Sequence, residues 1–242
     1  MTRRITQWHS PSLDLDMPIV AYGQAGQPLL MFPTAAADYL EYERFNLIQA
    51  IQHHIDTGRV RLYSINSVNR QSLMNEAAPP WVKAEYLARY DRYVEDEVVP
   101  FIHQDGANTR IMAVGASLGA YLSANAFFRR PDLFLGFIGM GGTYDIRHYM
   151  QGYYDDNVYF NNPTDYNGGI TDEAQLERFR SNCQIHILTG QGAWEKPSNS
   201  IDFSNLLNSK GIPNNLDVWG HDVAHDWPWW YKMMDYYIDR LF

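Results

Sequence analysis

The segment Gly115-Ala116-Ser117-Leu118-Gly119 sets one serine between two glycines, behind the apolar run 111–114 and ahead of the alanine-rich stretch 120–126. This is the G-x-S-x-G pattern of a sharp strand-to-helix turn. Such a turn can mount a nucleophile. The strained backbone projects the hydroxyl above the sheet, the positive end of the next helix lies beside it, and the N–H of Leu118 is available to an oxyanion. The plainer reading is a tight turn in which Ser117 only caps the helix. The apolar strand before it and the helix formers after it favour the nucleophile.

A serine hydroxyl is a weak nucleophile until a base takes its proton. Four of the eight histidines (His9, His53, His54 and His103) precede Ser117, His148 follows the sixth strand, and His186 lies within a strand. Only His221 and His225 lie beyond the last strand, where a base should overhang the sheet. His225, just ahead of the final helix in His225-Asp226-Trp227, is the expected base, with His221 in reserve. On a helix this i, i+4 pair could bind zinc. Gly220 before it and Pro228 after it put the pair in a loop, so no metal site is expected. A third group must fix the imidazole's tautomer. Glu195 is the only carboxylate in the loop Thr189-Gly190-Gln191-Gly192-Ala193-Trp194-Glu195-Lys196, with Asp145 after the preceding strand as the alternative. The plain reading of Glu195 is a surface carboxylate paired with Lys196.

These groups need elements to carry them. Apolar or alternating runs predict strands at 5–9, 16–22, 29–32, 59–65, 109–114, 135–140, 185–188 and 216–219. Helical periodicity predicts helices over 42–54, from Pro80 to Val98, and over 117–129, 171–180, 201–209 and 227–241. Strands alternating with helices argue for an α/β fold, a mainly parallel sheet covered on both faces. Such sheets carry their chemistry at the carboxyl ends of the strands. With no repeat or linker, 1–242 reads as one domain, with a possible lid insertion at about 144–180 that is rich in Asn, Asp and Tyr.

Composition limits the partners. Twenty-eight acidic against 19 basic residues give a net charge of −9, which disfavours nucleic acid and anionic membrane surfaces. The single cysteine, Cys183, excludes an intramolecular disulfide and reads as a buried, inert core residue. The opening MTRRITQWHSPSLDLD has no apolar segment behind its arginines, and no window is apolar enough to span a membrane. A cytoplasmic protein is therefore expected. Aromatic residues reach 14% and concentrate at 153–166 and 227–237, which packing explains more simply than a ring-lined pocket.

With Gly-Ala-Ser-Leu-Gly-Ala at 115–120 and His-Asp-Trp-x-x-Trp at 225–230, the chain resembles the α/β-hydrolases, specifically the esterase family that includes esterase D and enterochelin-esterase-type enzymes. The resemblance runs from Met31 to the final helix. It implies an eight-stranded, mostly parallel sheet and hydrolysis of a small-molecule carboxylic ester without metal or organic cofactor. Ser117 would be nucleophile and His225 base. Relatives often carry the acid two or three residues after the strand-ending glycine, where this chain has Gly192-Ala193. Many also place a glycine-rich oxyanion loop after the third strand, where this chain reads Phe32-Pro33-Thr34-Ala35-Ala36-Ala37. The second oxyanion donor is expected from Ala35 or Ala36. An acyltransferase on the same triad, a non-catalytic binding protein on the same fold, and a metal-dependent hydrolase using His221 and His225 are the competing readings. The residues do not fix the oligomeric state.

Overall fold

In the computed structural model, which describes residues 1–181 and 183–242, the strands form one sheet. Its members are β1 (Arg3–Ser10), β2 (Leu15–Tyr22), β3 (Gln27–Phe32), β4 (Val60–Ile65), β5 (Ile111–Ala116), β6 (Phe134–Met140), β7 (Gln184–Thr189) and β8 (Asn215–Val218). The order is β1-β2-β4-β3-β5-β6-β7-β8. β2 pairs antiparallel with both β1 and β4, and every pairing from β4 through β3 to β8 is parallel. The eight expected strands are all present, and the fold class is α/β.

β5 shows why the central strands read as unbroken apolar runs. Successive side chains face opposite ways, so Ile111 and Ala113 enter one core while Met112, Val114 and Ala116 enter the other. Both faces must therefore be covered. On the second face lie α1 (Glu41–Arg44), α2 (Leu47–Ala50) and α3 (Gln52–Asp56), through Tyr42, Leu47, Ile48 and Ile55. The single helix expected over 42–54 is in three pieces: Asn46, left-handed at φ 61°, separates α1 from α2, and Ile51, at φ −103° and ψ 12°, separates α2 from α3.

The first face is covered by α4 (Pro80–Tyr93), a π-helical turn (Val94–Val98) and α5 (Val99–Gln104), a continuous rod. Pro100 has no N–H to offer the carbonyl of Asp96, and the rod widens to the π form there. α6 (Leu118–Arg129) is buried along almost its whole length. The segment 144–180 holds a 3₁₀ turn (Arg147–Met150), α7 (Asp156–Phe160), α8 (Pro163–Gly169) and α9 (Glu173–Arg180). It is fastened to α6, with Tyr121 donating to the carbonyl of Asn161 at 2.8 Å and Tyr166 to Asn125 at 3.1 Å. Tyr144, Ile146, Met150 and Val158 are buried beneath it, so most of its apolar residues serve packing.

α10 (Pro197–Ser209) completes the first face through Phe203 and Leu207. α11 (Trp227–Leu241) completes the second through Met233, Met234 and Ile238. Among the described residues, no helix is long and apolar enough to cross a membrane. Cys183 is half-buried rather than buried, and burial raises its thiol above the usual range.

Candidate active site

The sheet register brings the carboxyl ends of β5, β6, β7 and β8 level. Ala116 faces Met140, Met140 faces Leu188, and Thr189 faces Val218. Each pairing continues one residue beyond the strands, with Ser117 N–H donating to Met140, Gly141 N–H to Leu188 and Trp219 N–H to Thr189. The loops after these four strands therefore start from one line. Ser117, Gly141, Glu195 and His225 all lie in them.

Ser117 sits at φ 57°, ψ −122°, a backbone conformation that is costly for any residue with a side chain. The glycines explain how the turn closes. A Cβ on Gly115 would lie 2.0 Å from the carbonyl oxygen of Gly119, and one on Gly119 would lie 2.3 Å from that of Phe32. Leu118 opens the 12-residue α6, and its N–H has no acceptor within the helix.

The acid loop and the histidine loop are held together backbone to backbone. Gly192 N–H donates to Val223 at 2.8 Å and His225 N–H to Ala193 at 2.9 Å. A Cβ on Gly190 would stand 2.0 Å from the Val223 oxygen, so only glycine allows this approach. The Glu195 side chain turns inward and is 1% exposed. Its Oε2 accepts from Thr189 Oγ1 at 3.2 Å and lies 3.5 Å from His225 Nδ1, an ion-pair distance longer than a hydrogen bond. The imidazole packs edge-to-face on Trp230, centroids 5.1 Å apart. A Cβ on Gly141 would sit 2.8 Å from Nδ1 and 2.9 Å from Glu195 Oε1, so this glycine leaves the space both groups occupy.

Ser117, Leu118 and His225 line one cavity of about 200 Å³, with Gly141, Thr143, His148, Tyr149, Trp194, Lys196 and Asn199 completing its walls. A larger cavity of about 790 Å³ lies at the amino ends of β5 and β6, between Arg110, Asp132 and Arg178, and contains no histidine. Size does not locate the chemistry here.

The remaining candidates fall as follows. His221 is exposed, lies outside the cavity of Ser117, and contributes its carbonyl to packing against Gly192. Asp145 is directed to Arg147 and Asn162. The Ala35–Ala36 segment follows Phe32-Pro33, whose carbonyls press on Gly119, but neither alanine lines the cavity. Its carbonyls accept from Asn69 and Arg70, while the N–H groups of Ala35 and Ala36 donate to nothing among the described residues. Among those residues, the one group of three or more histidine and carboxylate ligand atoms close enough to share a metal ion is that of His53, His54 and Asp235, which bridges α3 and α11 with His54 buried. Arg59 faces His54 Nδ1 at 3.4 Å, which suits a ring whose other nitrogen donates to Asp235 and not one bound to a metal.

Sequence reasoning passed over Thr189, Gly141, His148, Tyr149, Lys196 and Asn199. Thr189 ended a recognised strand next to the acid's loop. Nothing local marks the others.

Comparison of the coordinates with solved structures gives matches over the whole chain. A ferulic acid esterase superposes with a TM-score of 0.76 at 15% identity, covering 100% of this chain and 98% of that one. The fold is that of the α/β-hydrolases. An S-formylglutathione hydrolase from Staphylococcus aureus matches this chain with a TM-score of 0.67 at 13% identity, covering 99% and 95%. A fluorophosphonate-binding serine hydrolase from the same organism matches with a TM-score of 0.69 at 14% identity, covering 99% and 97%. No family model matches the sequence, and no curated protein does.

Proposed function

We propose that the protein is a serine esterase that cleaves small carboxylic esters through an acyl-enzyme. The single observation that carries this reading is the shared cavity: Ser117, in a strained turn, lines the same space as His225, whose Nδ1 side is backed by the buried Glu195. The α/β-hydrolase fold and its esterase-named neighbours agree with it.

In this mechanism Ser117 Oγ attacks the ester carbonyl while His225 takes its proton. Glu195 holds the ring through Nδ1 and stabilises the imidazolium. Charge on the carbonyl oxygen is met by the N–H of Leu118 and by one of the free N–H groups of Ala35 or Ala36, which requires the Ala35–Ala36 segment to line the cavity once substrate is bound. His225 then protonates the leaving alcohol, and water repeats the cycle on the acyl-enzyme. No step calls for a metal or an organic cofactor. A cytoplasmic setting goes with this reading, since one cysteine asks for no disulfide.

The test is hydrolysis of p-nitrophenyl acetate by the wild type and by Ser117→Ala. The reading expects turnover in the first and background rates in the second, with thermal unfolding of the variant no lower than wild type. Full activity in the alanine variant would reject it. Adding an alcohol acceptor and analysing the product separates hydrolysis from acyl transfer.

A further inference from the structure

Beside the cavity of Ser117 lies a second of about 500 Å³, and the two share Thr143, His148, Lys196 and Asn199 in their walls. Lys196 stands at this junction. Among the chain's four lysines, Lys83 donates to the carbonyl of Tyr149, Lys210 to that of Ile170, and Lys232 lies 4.1 Å over the ring of Trp229. Lys196 alone has no side-chain hydrogen bond, ion pair or ring partner among the described residues.

Helix stability does not account for it. Lys196 is the residue that precedes the first turn of α10, where the positive end of the helix disfavours a cation. The other charges of the outer cavity are Arg147, matched by Asp145 and, at 3.7 Å, Asp165, and Asp202, which is exposed and lies outside the inner cavity. In a chain of net charge −9, the wall beside the candidate nucleophile thus carries an unmatched positive charge.

We propose that Lys196 selects esters bearing an anionic group, carboxylate or phosphate, a few bonds beyond the scissile carbonyl. The proposal rests on the esterase reading of Ser117, with the anion at the junction of the two cavities beside Lys196.

The test compares p-nitrophenyl hexanoate with the p-nitrophenyl monoester of adipic acid, whose acyl chain has the same length but ends in a carboxylate. The ratio of kcat/KM, adipate over hexanoate, should fall about tenfold in Lys196→Met, mainly through KM, and return in Lys196→Arg. The wild-type ratio should also fall with rising salt. Inhibition of hexanoate cleavage by free adipate and by inorganic phosphate, measured separately, distinguishes the two anions. A ratio equal in the wild type, Lys196→Met and Lys196→Arg, with Ser117 still labelled by a fluorophosphonate, would overturn the role of Lys196 and leave the esterase reading standing. Absence of labelling in the wild type would remove that reading and this proposal with it.

Discussion

Replacing Glu195 with glutamine keeps the side chain's size and removes its charge. The carboxylate is 1% exposed and its Oε2 lies 3.5 Å from His225 Nδ1. At an effective dielectric of roughly 20, unit charges at that separation attract by about 5 kcal/mol. The imidazole is 23% exposed, so water reaches one edge of the pair. Solvent screening then leaves roughly 3–4 kcal/mol, or roughly 10²–10³ in kcat/KM. This attraction exists only while the ring is protonated, so the loss should fall on the chemical step and appear in kcat. Glu195 Oε1 has no hydrogen-bond partner, and removing a buried charge so poorly matched should leave the melting temperature unchanged or raise it. The assay is steady-state hydrolysis of p-nitrophenyl acetate at pH 7.5 beside a thermal melt. A variant within tenfold of wild type would refute the role given to Glu195. A variant that lost activity only because it unfolded would refute the stability half of the reasoning.

Gly141→Ala should lower kcat/KM at least tenfold, because its Cβ would come 2.8 Å from His225 Nδ1 at a backbone φ of 54°. The left-handed strain of about 1 kcal/mol should also lower the melting temperature by roughly 2–4 °C. Trp194 is 89% exposed at φ 66° and lines the cavity of Ser117. Trp194→Gly should therefore raise the melting temperature, relieving about 1 kcal/mol of strain, while raising KM. Burial and the charge of Glu95 push the Asp91 carboxyl up to about 7, against the pull of Arg129. From about pH 4 to about pH 7 the folded state then holds a proton that the unfolded chain has released, so stability falls as pH rises, by up to about 1.4 kcal/mol per unit. His186 acts oppositely. Burial, with Arg240 nearby, lowers it to about 4, so stability rises with pH between about 4 and 6.5. Asp91→Asn should expose that second slope in urea melts at pH 4.5 and 6.5; a pH dependence equal to wild type would contradict the Asp91 assignment, and a variant with no slope would contradict that of His186.

The sheet was legible because its central strands are apolar on both faces, as Leu29–Phe32 and Ile111–Ala116 are. Ser117 was legible because two glycines cannot be replaced where an added Cβ would come within 2.0–2.3 Å of a backbone oxygen. The helix over 42–54 was misread because a left-handed Asn46 and a non-helical Ile51 divide it, and periodicity registers neither. Glu195 could be nominated but not chosen over Asp145 from order alone. The choice depends on Asp145 being taken by Arg147 and Asn162, contacts made within the segment 144–180. Lys196 and His148 come to the cavity from separate loops, and no spacing in the chain joins them.

The most direct measurement is intact-mass and peptide mapping after exposure to a fluorophosphonate at pH 7.5. One adduct on the peptide containing Ser117, absent from a folded Ser117→Ala variant and slowed in His225→Ala, is the result expected of a serine made reactive by that imidazole. An unlabelled wild type, or an adduct that survives Ser117→Ala, would contradict it.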